Sequence, residues 1–130
     1  MDAATLPRPV TTDGKREAAV LTRAVLRAAE ILALDGRMLA AILGISEATV
    51  SRMRGGRYEL PRHDKSFELG VLLVRLFRGL DSIVGGDAAS ARAWLRADNT
   101  ALGAPPITLL PSITGLLNVV RYLDARRAVL

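Results

Sequence analysis

The chain contains no cysteine. That absence excludes a disulfide scaffold, a thiolate metal site and a cysteine nucleophile, and it fits a reducing compartment. Histidine occurs once, at His63. Without a Cys or a second His, no metal site is expected, and His63 reads as a surface or loop residue. Aromatics make up only 4% of the 130 residues, whereas 50% are hydrophobic. Such a core must be built from Leu, Val, Ile and Ala, which favours packed helices over sheets. No segment alternates like a strand. No apolar run approaches the ~20 residues of a bilayer span, since the strongest, Leu69 to Val74, is broken by Arg75. The opening MDAATLPRPV lacks a basic segment followed by an apolar one, so no signal peptide is read there and a cytoplasmic location is expected. Ser46, Ser51 and Ser66 have no His and carboxylate partners at a recognisable spacing. Gly55-Gly56 and Gly85-Gly86 read as helix stops rather than a phosphate cradle. Neither an enzyme nor a cofactor is expected.

What the chain does have is positive charge and helical periodicity. The net charge is +5, and nearly all the cations are arginine. That is compatible with a polyanionic partner, although arginine usage also follows genomic base composition. Residues 1–14, with Pro7, Pro9 and Gly14, read as a flexible arm. From Lys15 to Leu34, Ala18, Leu21, Val25, Ala28 or Ala29, and Leu32 form a helical stripe ended by Asp35-Gly36. Asp64 to Ile83 predicts a long helix, apolar on most sides and so contacted from several directions. Asp87 caps a shorter helix through Trp94, and a short helical segment is expected near Ile107–Leu110. A last helix from Pro111 to Arg127 buries Leu116, Leu117, Val120 and Leu123.

The densest signal is LAAILGISEATVSRMRGG, residues 39–56. It reads as a helix-turn-helix. Ala40 is small where two helices cross, and Gly44 supplies the positive φ of the turn. Leu39, Leu43, Ile45, Val50 and Met53 face inward, and Ser46 is a good N-cap for the second helix. The outward residues are Glu47, Ala48, Ser51, Arg52 and Arg54. Short side chains allow close approach to base edges, and Arg pairs bidentately with guanine. Arg52 and Arg54 are read as DNA contacts over a merely solvated face. Arg57 suits a phosphate contact and Arg37 a backbone contact, with a solvated surface equally open for both. Glu47 reads cytosine or, preferably, favours the helix N-terminus. The expected DNA-contacting set is therefore Arg37, Ser46, Glu47, Ser51, Arg52, Arg54 and Arg57.

Residues 64–127 resemble the toxin-binding domain of the Xre/MbcA/ParS antitoxin family. The matching stretches are LFRGLDSIVGG (76–86), ARAWLRADNTALG (91–103) and the helix with Gly-Leu-Leu-x-Val-Val at 115–120. Within them, Trp94-Leu95, Asn99, Leu102-Gly103 and Pro106 recur together as in the family. Two positions depart from it: Pro105 replaces a frequent basic residue and Thr114 a frequent Glu. The resemblance implies an all-α protein with three parts: the arm, an Xre-like helix-turn-helix module at 15–62, and a helical toxin-binding or dimerisation module at 63–130. It implies an antitoxin that neutralises a RES-domain toxin, which consumes NAD or transfers ADP-ribose from it. It also implies repression of the antitoxin's own operon, acting as a homodimer or a toxin–antitoxin hetero-oligomer. The alternative is a stand-alone helix-turn-helix regulator whose second half dimerises or senses a ligand.

On the expected toxin-binding module, Trp94 reads most simply as a core anchor and Asn99 as a loop hydrogen-bonder. Both lie in the segment the resemblance assigns to toxin contact. Arg126 and Arg127 lie in the last turn, where they suit the helix dipole; with Arg121 and the apolar Ala128-Val129-Leu130 tail they equally suit insertion into a toxin cleft. The toxin-binding candidates are thus Trp94, Asn99, Arg121, Arg126, Arg127, Val129 and Leu130.

Overall fold

A computed structural model describes residues 12–129 of the chain. Residues 1–11 of the expected arm and the candidate Leu130 lie outside the described residues, as does the side chain of Val129. Seven helices follow in order: α1 (Thr12–Ile31), α2 (Gly36–Leu43), α3 (Glu47–Arg54), α4 (Lys65–Ile83), α5 (Ala88–Arg96), α6 (Pro106–Leu109) and α7 (Ile113–Val129). Among the described residues there is no strand.

Two boundaries of α1 differ from the sequence expectation. The helix includes residues 12–14, which were expected in the arm. Asp13 lies in its first turn, where a carboxylate is favourable. At the other end Gly36 does not stop α1. Ala33 takes the left-handed turn, with φ +55°. Leu34 N–H then donates to Ala29 O at 2.8 Å and Ala33 N–H to Glu30 O at 3.1 Å, the paired bonds of a Schellman end. Asp35 and Gly36 instead begin α2, where Asp35 Oδ1 accepts from Met38 N–H at 2.8 Å.

The α2–α3 hairpin forms for the local reasons its sequence shows. Gly44 adopts φ +69°, and Ile45 N–H reaches back to Ala40 O at 3.1 Å. Leu39, Ala40, Leu43, Val50 and Met53 are buried between the helices, whereas Ile45 is only half-buried. The loop after α3 is pinned to α1. Buried Thr22 accepts from Leu60 N–H at 2.9 Å and donates to Ala18 O at 2.7 Å. That leaves the buried Leu60 amide satisfied.

Helix α4 is the hub. It packs on α1 and α2 on the amino-terminal side and on α5 and α7 on the other. Leu69, Leu73, Leu76 and Leu80 are buried on it. A Cβ at Gly70 would lie 3.1 Å from Val25 Cγ2 and 3.2 Å from Leu60 Cδ1, so α4 packs there closely enough that those side chains would have to shift to admit one. The two halves share one continuous core from Val25 to Leu123.

Helix α7 starts two residues later than its proline suggested. Ser112 is its cap, accepting from Gly115 N–H at 2.9 Å, and Pro111 precedes that cap. Its buried residues are Leu116, Val119, Val120 and Leu123. Leu117, expected inside, is half-buried, and Val119 takes the inward position.

Candidate functional site

On α3, Thr49, Val50 and Met53 are buried and Glu47, Ala48, Ser51, Arg52 and Arg54 are exposed. Ser46 caps the helix: its Oγ accepts from Thr49 N–H at 3.0 Å and lies 2.8 Å from Thr49 Oγ1. Arg52 continues this chain, donating to Thr49 Oγ1 at 2.9 Å, and its guanidinium stands 6.0 Å from the Tyr58 ring centroid. Arg57 is tied to the same turn by its backbone, with its N–H 2.8 Å from Arg52 O. Arg37 is exposed in the first turn of α2. The structure therefore brings Ser46, Arg52 and Arg57 together around the exposed face of α3.

Arg54 sits differently. Its guanidinium turns back to the Leu34 carbonyl at 3.5 Å. Arg92 and Arg96 converge on the same end of α1. Arg92 donates to Ile31 O at 2.7 Å and Glu30 O at 3.3 Å; Arg96 donates to Leu32 O at 3.1 Å and Ala33 O at 2.8 Å. Glu30 O also accepts from Ala33 N–H, whereas the carbonyls after it lie past the last helical hydrogen bond; all sit at the negative end of the α1 dipole. Sequence reasoning missed Arg92 and Arg96. Their spacing of one helical turn on α5 marks a shared face, but nothing local says what that face meets.

At the far end, Trp94 is half-buried and stacks on Tyr122, with centroids 6.1 Å apart and planes at 21°. Arg126 lies over the other partner of that stack, 5.8 Å from the Tyr122 centroid, and donates to its hydroxyl at 3.3 Å. Trp94 and Arg126, both singled out from sequence, are joined by Tyr122, which was not. Asn99 holds the following loop: its Oδ1 accepts from Leu102 N–H at 3.0 Å. Arg121 is exposed on α7. Arg127, one residue past Arg126, points instead toward Gly79 of α4 and the α1–α4 groove. A step of about 100° around the helix separates the two. At the start of α5, Asp87 accepts from Ser90 Oγ at 2.7 Å and Ala89 N–H at 3.2 Å. The Ser90 hydroxyl holds the Asp87 carboxyl below the usual carboxylate range.

Among the described residues, no group of three or more His, Asp or Glu is placed to hold a metal ion. No helix there is long and apolar enough to cross a membrane.

A hairpin exposing a short polar face with flanking arginines, joined through one long helix to a second helical unit, defines a helix-turn-helix protein with an appended module. Residues 13–75 match the antitoxin Xre-like helix-turn-helix domain, and residues 79–128 match the antitoxin Xre/MbcA/ParS C-terminal toxin-binding domain. The chain belongs to the Xre/MbcA/ParS antitoxin family. It therefore carries the two modules of a toxin–antitoxin system antitoxin, one of a DNA-binding type and one for a toxin. No curated protein matches the chain.

Proposed function

We propose that this chain neutralises a RES-type toxin by direct binding and represses its own operon through α3. The toxin consumes NAD or transfers ADP-ribose from it, and the antitoxin performs no chemistry of its own. Both act in the cytoplasm. Arg52 and Ser51 read bases, Arg57 and Arg37 hold phosphates, and two copies engage two half-sites. Trp94, Arg121, Arg126 and the end of α7 face the toxin.

One observation supports this reading above the others. The Ser46–Thr49–Arg52 chain and the Trp94–Tyr122–Arg126 row lie on different helices of different halves, and each ends in an exposed arginine. Two separate polar–aromatic surfaces suit two partners.

The test is co-expression with the product of a neighbouring RES-type gene. Growth rescue, co-purification and a mass measurement of the complex are expected. Footprinting should place the protein over its own promoter. Operator binding without any toxin partner would instead favour the stand-alone regulator.

A further inference from the structure

A groove of about 650 Å³ runs between α1 and α4. Its floor is apolar: Val20 and Leu21 come from α1, and Phe67, Val71 and Val74 from α4. Val20 is 51% exposed and Val71 44%, two of the three large apolar side chains most exposed among the described residues. Phe67, Val71 and Val74 fall at i, i+4 and i+7, one stripe of α4. The floor is therefore a seam between two helices, open on its outer side.

The rim is cationic. Glu17 pairs with Arg62, and Arg75 pairs with Asp124, so those charges are matched. Arg16, Arg78 and Arg127 also line the groove, and among the described residues no carboxylate pairs with them. An apolar seam beside three unmatched guanidinium groups is complementary to an aliphatic stripe flanked by carboxylates.

We propose that this groove docks an acidic amphipathic helix of a partner protein. A third helix settles between two others by the same ridge-and-groove packing that joins α1 to α4. Its aliphatic face covers Val20 and Val71, and its Asp and Glu side chains pair with Arg16, Arg78 and Arg127. A second copy of this chain fits the seam less well, because it brings the same unmatched arginines against the first set. Residues 1–11 contain one Asp and one Arg, so they do not supply the charge either. The surface is distinct from the exposed face of α3 and from the Trp94–Tyr122 stack; Arg127, at the end of α7 assigned to the toxin, is the residue it shares with that assignment.

The experiment uses the full chain and two labelled helical peptides of about 18 residues, five turns. Both carry the same leucine stripe, one flanked by Glu and the other by Lys. Fluorescence anisotropy should show the Glu peptide binding at least tenfold more tightly, with affinity falling as salt rises. The double variant Val20→Ser, Val71→Ser should lose at least tenfold for the Glu peptide. Both valines are half-exposed, so folding should persist, and circular dichroism checks it. The double variant Arg16→Gln, Arg78→Gln carries the test independently by flattening the salt dependence. Equal binding of the two peptides, or no binding of either, overturns the proposal. So does sedimentation showing that the protein alone self-associates and that the valine variant abolishes it, because the occupant is then a second copy.

Discussion

Arg52 lies between two side chains, with Thr49 Oγ1 accepting one of its N–H groups and the Tyr58 ring beneath its guanidinium. Of its five donors, most remain available to a base edge. Arg52→Ala is expected to lower operator affinity by about 1–3 kcal/mol and to relax specificity at one position. Equilibrium binding to the operator and its single-base variants measures both. Arg57→Ala should weaken all sequences alike and reduce the salt slope by about one counterion. Tyr58→Leu should reproduce part of the Arg52 loss and Tyr58→Phe little of it, since the ring face and not the hydroxyl meets the cation. Gly115 is the tightest point of the α6–α7 junction. A Cβ there would stand 2.1 Å from Leu109 O and 2.7 Å from Ser112 Oγ. The obstruction is backbone, so α6 and α7 must separate. Gly115→Ala should destabilise the fold by about 3 kcal/mol, read as a lowered urea midpoint at unchanged slope.

At the scale of elements, the carboxyl end of α1 has an unusual set of partners. Its left-handed residue is alanine, and its free carbonyls are served by arginines from α3 and α5. Arg92→Ala with Arg96→Ala should cost about 1–2 kcal/mol, because the exposed carbonyls recover water in exchange. Hydrogen exchange should quicken first in α5, the helix those bonds hold down. The start of α5 gives a pH prediction. Asp87 is the N-cap, and its carboxyl titrates below its ordinary value because Ser90 donates to it. A depressed folded-state pKa means that the contribution is complete above the unfolded value of about 3.9 and fades as pH falls through the folded one. Asp87→Ala should therefore lower the melting temperature at pH 7, and the gap should close below about pH 4. A gap that widens in acid would contradict a charged cap.

For the whole molecule, α4 matters most, because it is packed by helices of both halves. Neither half buries its apolar face without it. Truncation at the other end is a gentler test. The buried residues of α7 end at Leu123, while Arg126, Arg127 and Ala128 are exposed. Deleting residues 126–130 should leave the fold and operator binding nearly intact and impair growth rescue in cells making the toxin. Full rescue would move the inhibitory surface to α5 and the loop through Pro106.

The parts legible in sequence are those whose causes lie within a few residues. The α2–α3 hairpin needed a turn glycine, a serine cap and apolar residues three and four apart, and each acts on its own neighbours. The Asn99 loop is legible for the same reason, since its hydrogen bond spans three residues. The family motifs, too, sit in short contiguous stretches. What only the tertiary structure decided is which like residue meets which partner. Arg52 and Arg54 share one helix, yet one leans on Thr49 and Tyr58 while the other folds back on Leu34. Arg126 and Arg127 are adjacent, yet one joins the Tyr122 stack and the other lines the α1–α4 groove. Ala33 turns left-handed although Gly36 lies three residues on. Helix propensity and capping act over a turn or two of chain. The destination of a long side chain depends on the elements packed beside it, and those come from remote parts of the sequence.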